Sequence, residues 1–356
     1  MGYLKTKYLL LFILGLSLAL NLLGLRWGYP VMNWHPDEKV KRIVEFLASN
    51  SLNPRYFINP SFFLYLLFIP VKILTLIRPM ASRADITIIC RIVTAIVGTS
   101  SVFVTYLIAK KIFGEKSGIY AALFLALAAG NVIYSHYVLP AVLLTTLIML
   151  CLYYIIKYVE SGKNIYFYYS CAIFGLAMST KYTALIVFPS ILLGLFFTYK
   201  KNAKASTNSG DISPKYLSAN ILGILSLLAG ILMLSFVFFT KNENLISALQ
   251  NFLDSAKRVT FWNQHEHEYV ILFIEMIKKL FLLGGVFLCL VFPLIIRITP
   301  VRNFLNRLFL RKEFPIAILV SITFFCITTP FCILDYKQFF HDLFVNWQTQ
   351  YHYGGF

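Results

Sequence analysis

Long apolar runs constrain this chain more than any other feature, because each run is about as long as a membrane-spanning helix. Of its 356 residues, 59% are hydrophobic and only 13% are charged. Continuous apolar stretches of roughly 18 or more residues are typical of transmembrane helices. We predict spans at 8–25, 86–108, 117–134, 139–157, 166–180, 183–199, 217–238, 280–296 and 314–331. The predicted fold is an all-α, polytopic membrane helical bundle of about nine spans, forming a single domain over 1–356.

The distribution of charge predicts the orientation of the bundle. The segments 200–216 and Arg297–Lys312, together with the short basic loops after the second and fourth spans, contain few acidic residues. Short loops rich in Lys and Arg favour the cytoplasmic side. This assignment requires that Pro60–Ile77 lies along the membrane surface, which we prefer to a further span. Two large external loops then follow, 26–85 and 239–279, and the protein is expected in the plasma membrane.

The net charge of +17 would suggest nucleic-acid binding in a soluble protein. Here the basic residues lie mainly between apolar runs, where they orient helices and contact anionic headgroups. We therefore expect membrane lipids as partners and no nucleic acid.

The six cysteines lie in or beside apolar segments, and none forms a CxxC motif. This placement is typical of inert buried thiols and gives no metal signature.

The stretch NWHPDEKVKRIVEFL follows the first span and predicts an amphipathic surface helix. Pro36 suits the first helical position, which places Asp37 and Glu38 in the first turn. Two interpretations are open: the acidic residues complement the helix dipole, or they present a carboxylate at the water–membrane boundary for proton transfer or cation binding. The apolar face has helical spacing and consists of Val40, Ile43, Val44 and Leu47.

Other polar residues are predicted on the same external side. His136 and Tyr137 lie in YSHYVLPA, and Lys181 and Tyr182 lie in STKYTA, each between two spans. Lys181 either extends along the apolar surface to reach water or binds an anionic phosphate.

A dense polar cluster occurs in FWNQHEHEY, within the second large external loop. His265, Glu266 and His267, followed by Glu268, are candidate metal ligands. Because no standard zinc spacing is present, a solvated loop is the alternative.

Four segments occur in an order that resembles the GT-C membrane glycosyltransferases. They are HPDE, LNPRYFINPSFFLYL, SHYVLPA and GLAMSTKYTA, and the resemblance covers about 8–200. The nearest set is similar to glycosyltransferase family 39, which includes protein O-mannosyltransferases and lipid A aminoarabinose transferases. The same topology places a surface-lying segment after the first amphipathic helix.

The resemblance implies transfer of a sugar from a polyprenyl-phosphate donor to a protein, lipid or glycan acceptor on the outer membrane face. It implies that Asp37 is the general base, with Glu38 beside it as a second catalytic carboxylate. A divalent cation (Mg²⁺, Mn²⁺ or Zn²⁺) or basic residues would hold the donor phosphate. The residues expected at the donor are Lys181, Tyr182, Arg55, Tyr56, Asn59 and His136.

Two features depart from the family pattern. Ala141 follows Pro140 where the family often has an acidic residue, so Glu38, His136 or Glu266 substitutes for it, or activity is altered or lost. The C-terminal segment resembles an external segment that normally precedes further spans, so we expect an incomplete C-terminus. The alternatives to a transferase are a lipid or solute transporter, and an inactive relative that acts as a binding or assembly subunit.

Overall fold

The computed structural model describes residues 2–28, 37–49, 51–206, 219–255, 266–295, 297–298 and 313–354. Within these ranges the regular elements are helices and no strand occurs, which confirms the all-α prediction. The α-helices are α1 (Gly2–Leu22), α2 (Val40–Ala48), α3 (Phe62–Ile77), α4 (Arg83–Phe113), α5 (Glu115–Leu127), α6 (Ala129–His136), α7 (Pro140–Ser161), α8 (Asn164–Met178), α9 (Phe188–Ser206), α10 (Ala219–Phe239), α11 (Asn242–Ser255), α12 (Glu266–Val286), α13 (Phe292–Ile295), α14 (Glu313–Thr328), α15 (Phe331–Leu334) and α16 (Tyr336–Gly354). A 3₁₀-helix, Tyr182–Val187, precedes α9, and a π-helical turn, Phe287–Val291, joins α12 to α13.

Several of these helices are long and apolar enough to cross a membrane. By length and composition, the described ranges contain three such helices: α4, α7 and the continuous helix Glu268–Ile295. Two pairs of consecutive helices, each bent at a short break, are also long and apolar enough when each pair is counted as one span. Shorter apolar helices lie at Thr6–Leu22, Phe62–Ile77, Tyr182–Thr198 and Glu313–Thr328. Each predicted span overlaps a described helix, so the chain is an integral membrane protein, while the count of nine spans stays a prediction.

Two predicted spans differ in detail from the helices observed. The span 117–134 is divided into α5 and α6, which meet at a bend of 54°. The cause is Ala128, whose extended backbone (φ −65°, ψ 119°) interrupts the helical hydrogen-bond ladder. The span 280–296 begins earlier, at Glu268, so part of the predicted external loop 239–279 is helical.

The chain divides into two compact units. The first comprises Met1–Thr198 and Ala317–Leu334, and the second comprises Tyr199–Ile316 and Asp335–Phe356. The expectation of one membrane domain stays a prediction.

In the first unit, the predicted amphipathic helix buries its apolar face against α3. Val40, Ile43 and Phe46 of α2 are buried, and the ring of Phe46 lies 4.5 Å from that of Phe68. This face is removed from solvent by protein, as the spacing of its apolar residues predicts. α3 is a 16-residue helix with Pro70 in its interior, and its placement along the membrane surface stays a prediction.

Small and polar residues bring α1, α4 and α6 close together in the same unit. A Cβ atom added to Gly98 would lie 2.0 Å from Oγ of Ser135, so only glycine permits this approach. The Nδ2 of Asn21 donates to the Ala95 carbonyl (3.3 Å) and to Thr99 Oγ1 (3.2 Å). Close backbone approach and interhelical hydrogen bonds are the usual sources of helix association in membranes.

The second unit packs α10 against α12 and α11 against α12 and α16. Gly230 of α10 lies close to Gly285 of α12, where an added Cβ would be 2.9 Å from the Gly285 carbonyl oxygen. Aromatic and aliphatic residues form its core cluster, which contains Leu253, Val270, Ile274 and Phe344.

Candidate active site

A buried ion pair joins the carboxylate motif to the second predicted span. Nε and Nη2 of Arg91 each donate to one oxygen of Glu38, both at 3.2 Å. The side chains are 2% and 6% exposed, respectively. Paired Arg–carboxylate contacts of this kind fix orientation as well as charge. Glu38 is therefore held rigidly against α4.

The same ion pair gathers three separate chain segments. Nη1 of Arg91 donates to the carbonyls of Leu25 (3.0 Å) and Trp27 (3.1 Å), in the turn that follows α1. The amide of Val138 donates to Glu38 Oε1 (3.1 Å). Because backbone groups of these segments find partners in one cluster, the cluster fixes the path of all three segments.

Asp37 and Glu38 precede α2 and do not lie in its first turn, so the predicted placement is wrong. The helix begins at Val40, after Lys39. The physical reason is tertiary: Glu38 is bound by Arg91 and Val138, and the Lys39 amide donates to the Val138 carbonyl (3.0 Å). These contacts hold the motif outside the helix. The dipole interpretation therefore loses its geometric basis, whereas Asp37 lies exposed beside the buried Glu38.

A cavity of about 250 Å³ adjoins the buried ion pair. His136, at the end of α6, lines this cavity with Nδ1 2.6 Å from the Val132 carbonyl and Nε2 2.5 Å from the Leu23 carbonyl. A neutral imidazole donates through only one ring nitrogen, whereas the imidazolium donates through both. His136 therefore links the ends of α6 and α1. The lining residues are Gly24, Trp27, Arg91, Ile133, His136 and Tyr137.

The residues on the segment after α2 that are predicted to bind the sugar donor differ in their burial. Tyr56 is buried, and its ring lies under the guanidinium of Arg42, 4.5 Å from ring centroid to Cζ. Arg55 is exposed and has a left-handed backbone (φ 50°), which is uncommon for a residue with a side chain. Asn59 is half-buried. Tyr56 therefore anchors the segment, and Arg55 is displayed from it.

Lys181 and Tyr182 lie beside the hydrophobic cluster that contains Tyr56. The hydroxyl of Tyr182 donates to the Phe57 carbonyl (2.8 Å), and Lys181 is half-buried in an extended backbone. In the described part of the chain Lys181 has no ion-pair partner. Its neighbours Ala177 and Ala184 belong to the hydrophobic cluster that also contains Tyr56 and Val138. A half-buried lysine beside this cluster is placed where an anionic group could bind it.

A third contact joins these segments to the end of α14. Oγ1 of Thr329 accepts a hydrogen bond from the Ser61 amide (3.3 Å) and lies 2.5 Å from Oγ of Ser179. The amide of Phe62 donates to the Ser179 carbonyl (3.0 Å). All three hydroxyl residues are fully buried, so Thr329 fixes the segments that carry Asn59 and Lys181.

The metal prediction is not tested by these contacts. His265 lies outside the described residues, and Glu266 and His267 begin α12 with side chains that are also outside the description. Within the described residues no group of three His, Cys, Asp or Glu side chains is placed to hold a metal ion. The cation stays a prediction.

Ala141 lines a second cavity, of about 410 Å³, together with Asn131, Tyr134 and Thr145. The lining is uncharged, as the loss of the family's acidic residue implies. Glu38 and His136 are not among its described lining residues, and the substitution of Glu38, His136 or Glu266 for that carboxylate stays a prediction.

Sequence reasoning missed Arg91, although a signal was present. An arginine within an apolar span is rare and usually faces the bundle interior with a partner. In ICRIVTA, Arg91 is such a residue, and its partner is the adjacent carboxylate motif.

These features define an integral membrane protein that displays a carboxylate and a lysine beside a common core. A family model described as dolichyl-phosphate-mannose-protein mannosyltransferase matches residues 84–225. The match confirms the resemblance to GT-C glycosyltransferases in that region. No curated protein matches the chain.

Among solved structures, the chain is similar to the Archaeoglobus fulgidus oligosaccharyltransferase in its crystal structure with Zn and sulfate. The identity is 15% and the TM-score is 0.42, over 94% of this chain and 48% of that chain. This chain thus spans about half the length of the matched protein. At this level of similarity the match supports no argument about the site.

Proposed function

We propose that this protein is a glycosyltransferase that moves a sugar from a polyprenyl-phosphate donor to an acceptor hydroxyl on the outer membrane face, with Asp37 as general base. The observation that carries the proposal is that the two adjacent carboxylates have different surroundings. Glu38 is bound by Arg91 and the Val138 amide, and Asp37 is exposed beside it. The family match to mannosyltransferases supports the reaction class.

Glu38 acts as a positioning residue in this proposal. Its oxygens accept hydrogen bonds from Arg91 and Val138, so they are unsuited to accept a proton from an acceptor. A rigid neighbour restricts the backbone of Asp37. Fixing a general base near the reacting hydroxyl is a large part of what an enzyme contributes to such a step.

Lys181 is the proposed phosphate partner. Arg55 is exposed on the neighbouring segment, and Tyr182 ties the two segments through the Phe57 carbonyl. A sugar phosphodiester already has a good leaving group, so the site has to neutralise the charge that develops on the released phosphate. A lysine with no carboxylate partner in the described chain suits this role.

The proposed step forms one bond and breaks one. The acceptor hydroxyl gives its proton to Asp37 as its oxygen attacks the anomeric carbon. The bond between that carbon and the phosphate oxygen breaks, and polyprenyl phosphate leaves with the electron pair beside Lys181. Attack opposite to the leaving group inverts the anomeric configuration. If a divalent cation is bound, it would supply further charge neutralisation at the phosphate.

The test is sugar release and transfer from a panel of radiolabelled polyprenyl-phosphate sugars, with purified protein in nanodiscs, with and without a divalent cation. Asp37→Asn should lower transfer by about 10²–10⁴-fold, the usual contribution of a general base. Glu45→Gln is the matched control, because Glu45 is an exposed acid on α2 that pairs with the neighbouring basic residues Lys41 and Arg42.

Near-normal turnover of Asp37→Asn would remove Asp37 from the mechanism. Donor binding without turnover by the unmodified protein, over the whole panel, would overturn the transferase proposal and favour an inactive binding subunit. Sugar-independent solute flux into vesicles would favour the transporter.

A further inference from the structure

Two thiols lie in contact where α14 turns into α15. The Sγ atoms of Cys326 and Cys332 are 3.9 Å apart, and both side chains are half-buried. In the described chain, by contrast, Cys90, Cys151 and Cys171 are buried within the first unit. The expectation that all six thiols are inert therefore does not suit this pair.

The turn between the two cysteines is centred on Thr329. The Thr329 amide donates to Phe325 (2.8 Å), and the Cys332 amide donates to the Thr329 carbonyl (3.1 Å). Thr329 also contacts Ser61 and Ser179 through its side chain. A covalent link between the cysteines would close a short loop around the residue that holds both site segments.

We propose that Cys326 and Cys332 form a reversible disulfide that fixes the α14–α15 turn, and with it the contacts of Thr329. A disulfide requires an S–S separation of about 2.05 Å. The sulfurs are 3.9 Å apart, already near van der Waals contact, and each side chain is half-buried. The inference rests on the proposed function only in placing this turn at the outer face, where disulfides persist.

The reaction is thiol–disulfide exchange with a disulfide oxidant. One cysteine thiolate attacks a sulfur of the oxidant, forms a mixed disulfide and releases one thiol. The second cysteine attacks the first cysteine's sulfur and releases the second thiol. The two protons of the cysteines end on the two released thiols, so the oxidant is reduced as the pair is oxidised.

Burial raises the pKa of the Cys332 thiol to about 12. Its thiolate is therefore scarce at neutral pH, and attack by this sulfur is slow. The more readily reacting order has Cys326 attacking the oxidant first. The exchange is best followed at mildly alkaline pH.

The experiment exposes the full-length protein in nanodiscs to oxidised glutathione, blocks the remaining thiols with an alkylating reagent under denaturing conditions, and counts labels by intact mass. We expect two fewer labels, a peptide containing both cysteines joined by a disulfide, and full recovery of labelling after reduction. In Cys332→Ser, glutathione should stay on Cys326 as a mixed disulfide. Cys289→Ser is the matched control and should still lose two labels.

Retention of all labels in protein that remains folded would overturn the proposal. Loss of two labels with the disulfide mapped to other cysteines would also overturn it. Neither readout uses sugar transfer, so failure here is distinguishable from failure of the proposed transferase activity.

Discussion

Arg91 holds Glu38 through two hydrogen bonds of 3.2 Å in a setting where both side chains are almost fully buried. The pair is separated by 53 residues in sequence and joins α4 to the segment that carries Asp37. Removing one partner of a buried ion pair leaves an uncompensated charge, which costs far more than loss of an exposed pair. The carboxylate motif is thus also a structural element of the fold.

Arg91→Met should lower the free energy of unfolding by about 3–5 kcal/mol, because Glu38 would stay buried without its partner. The measurement is thermal or denaturant unfolding of the purified protein. Arg78→Met is the matched control: Arg78 pairs with Asp85 at 3.3 Å, and their side chains are 64% and 28% exposed. Loss of that pair should cost about 1 kcal/mol or less. Equal losses for the two variants would contradict the structural role of Arg91.

Local sequence patterns predicted the helices of this chain better than their ends. Apolar length identified α4 and α7, and helical spacing identified the buried face of α2. The start of α2 was predicted wrongly because tertiary contacts from Arg91 and Val138 hold the preceding motif outside the helix. Local helix preferences are weak compared with a buried ion pair, and no local pattern reports a partner 53 residues away.

Lys181→Ala should raise the donor KM or lower kcat, because one positive charge near the leaving phosphate would be lost. We expect about a 100–1,000-fold loss in kcat if Lys181 stabilises the charge on the leaving phosphate, the range seen when one charge-stabilising group is removed. Lys72→Ala is the control, since Lys72 lies exposed on α3. Steady-state kinetics provide the measurement, with the donor that the panel of polyprenyl-phosphate sugars identifies. Kinetics equal to those of the unmodified protein would exclude Lys181 from the phosphate site.

Thr329→Val should destabilise the first unit by about 1–3 kcal/mol, because the buried Ser61 amide loses its hydrogen-bond acceptor. Valine has nearly the same shape, so the change removes the hydroxyl and little packing. Thr328→Val is the neighbouring control, as its hydroxyl donates to carbonyls of its own helix. Unfolding midpoints of the two variants give the comparison, and an unchanged midpoint for Thr329→Val would argue against the three-way contact.

The candidate site was only partly predictable from the sequence. Asp37, Lys181 and Tyr182 stood out because polar residues between apolar spans are unusual. The roles of Glu38 and Thr329 depend on contacts that only the fold creates: Glu38 with Arg91, and Thr329 with the segment before α3. Thr329 lies 268 residues from its partner Ser61, and a threonine after an apolar helix carries no distinguishing pattern.

Gly98→Ala should destabilise the protein by about 1–3 kcal/mol, the usual cost of adding a methyl group to a filled interior. The added Cβ would lie 2.0 Å from Ser135 Oγ and 2.9 Å from its Cβ, so α4 and α6 would have to separate. Gly15→Ala is the matched control: Gly15 lies within α1, and nothing lies within 4 Å of an added Cβ. Alanine is the better helix former, so that variant should be neutral or more stable. The hydroxyl of Thr94 contacts the carbonyl oxygens of both Ser135 and Arg91. Separation of α4 from α6 should therefore disturb the segment that carries Arg91, and reduce sugar transfer as well as the unfolding midpoint. If Gly98→Ala matched Gly15→Ala in both measurements, the close contact of α4 with α6 would be wrong.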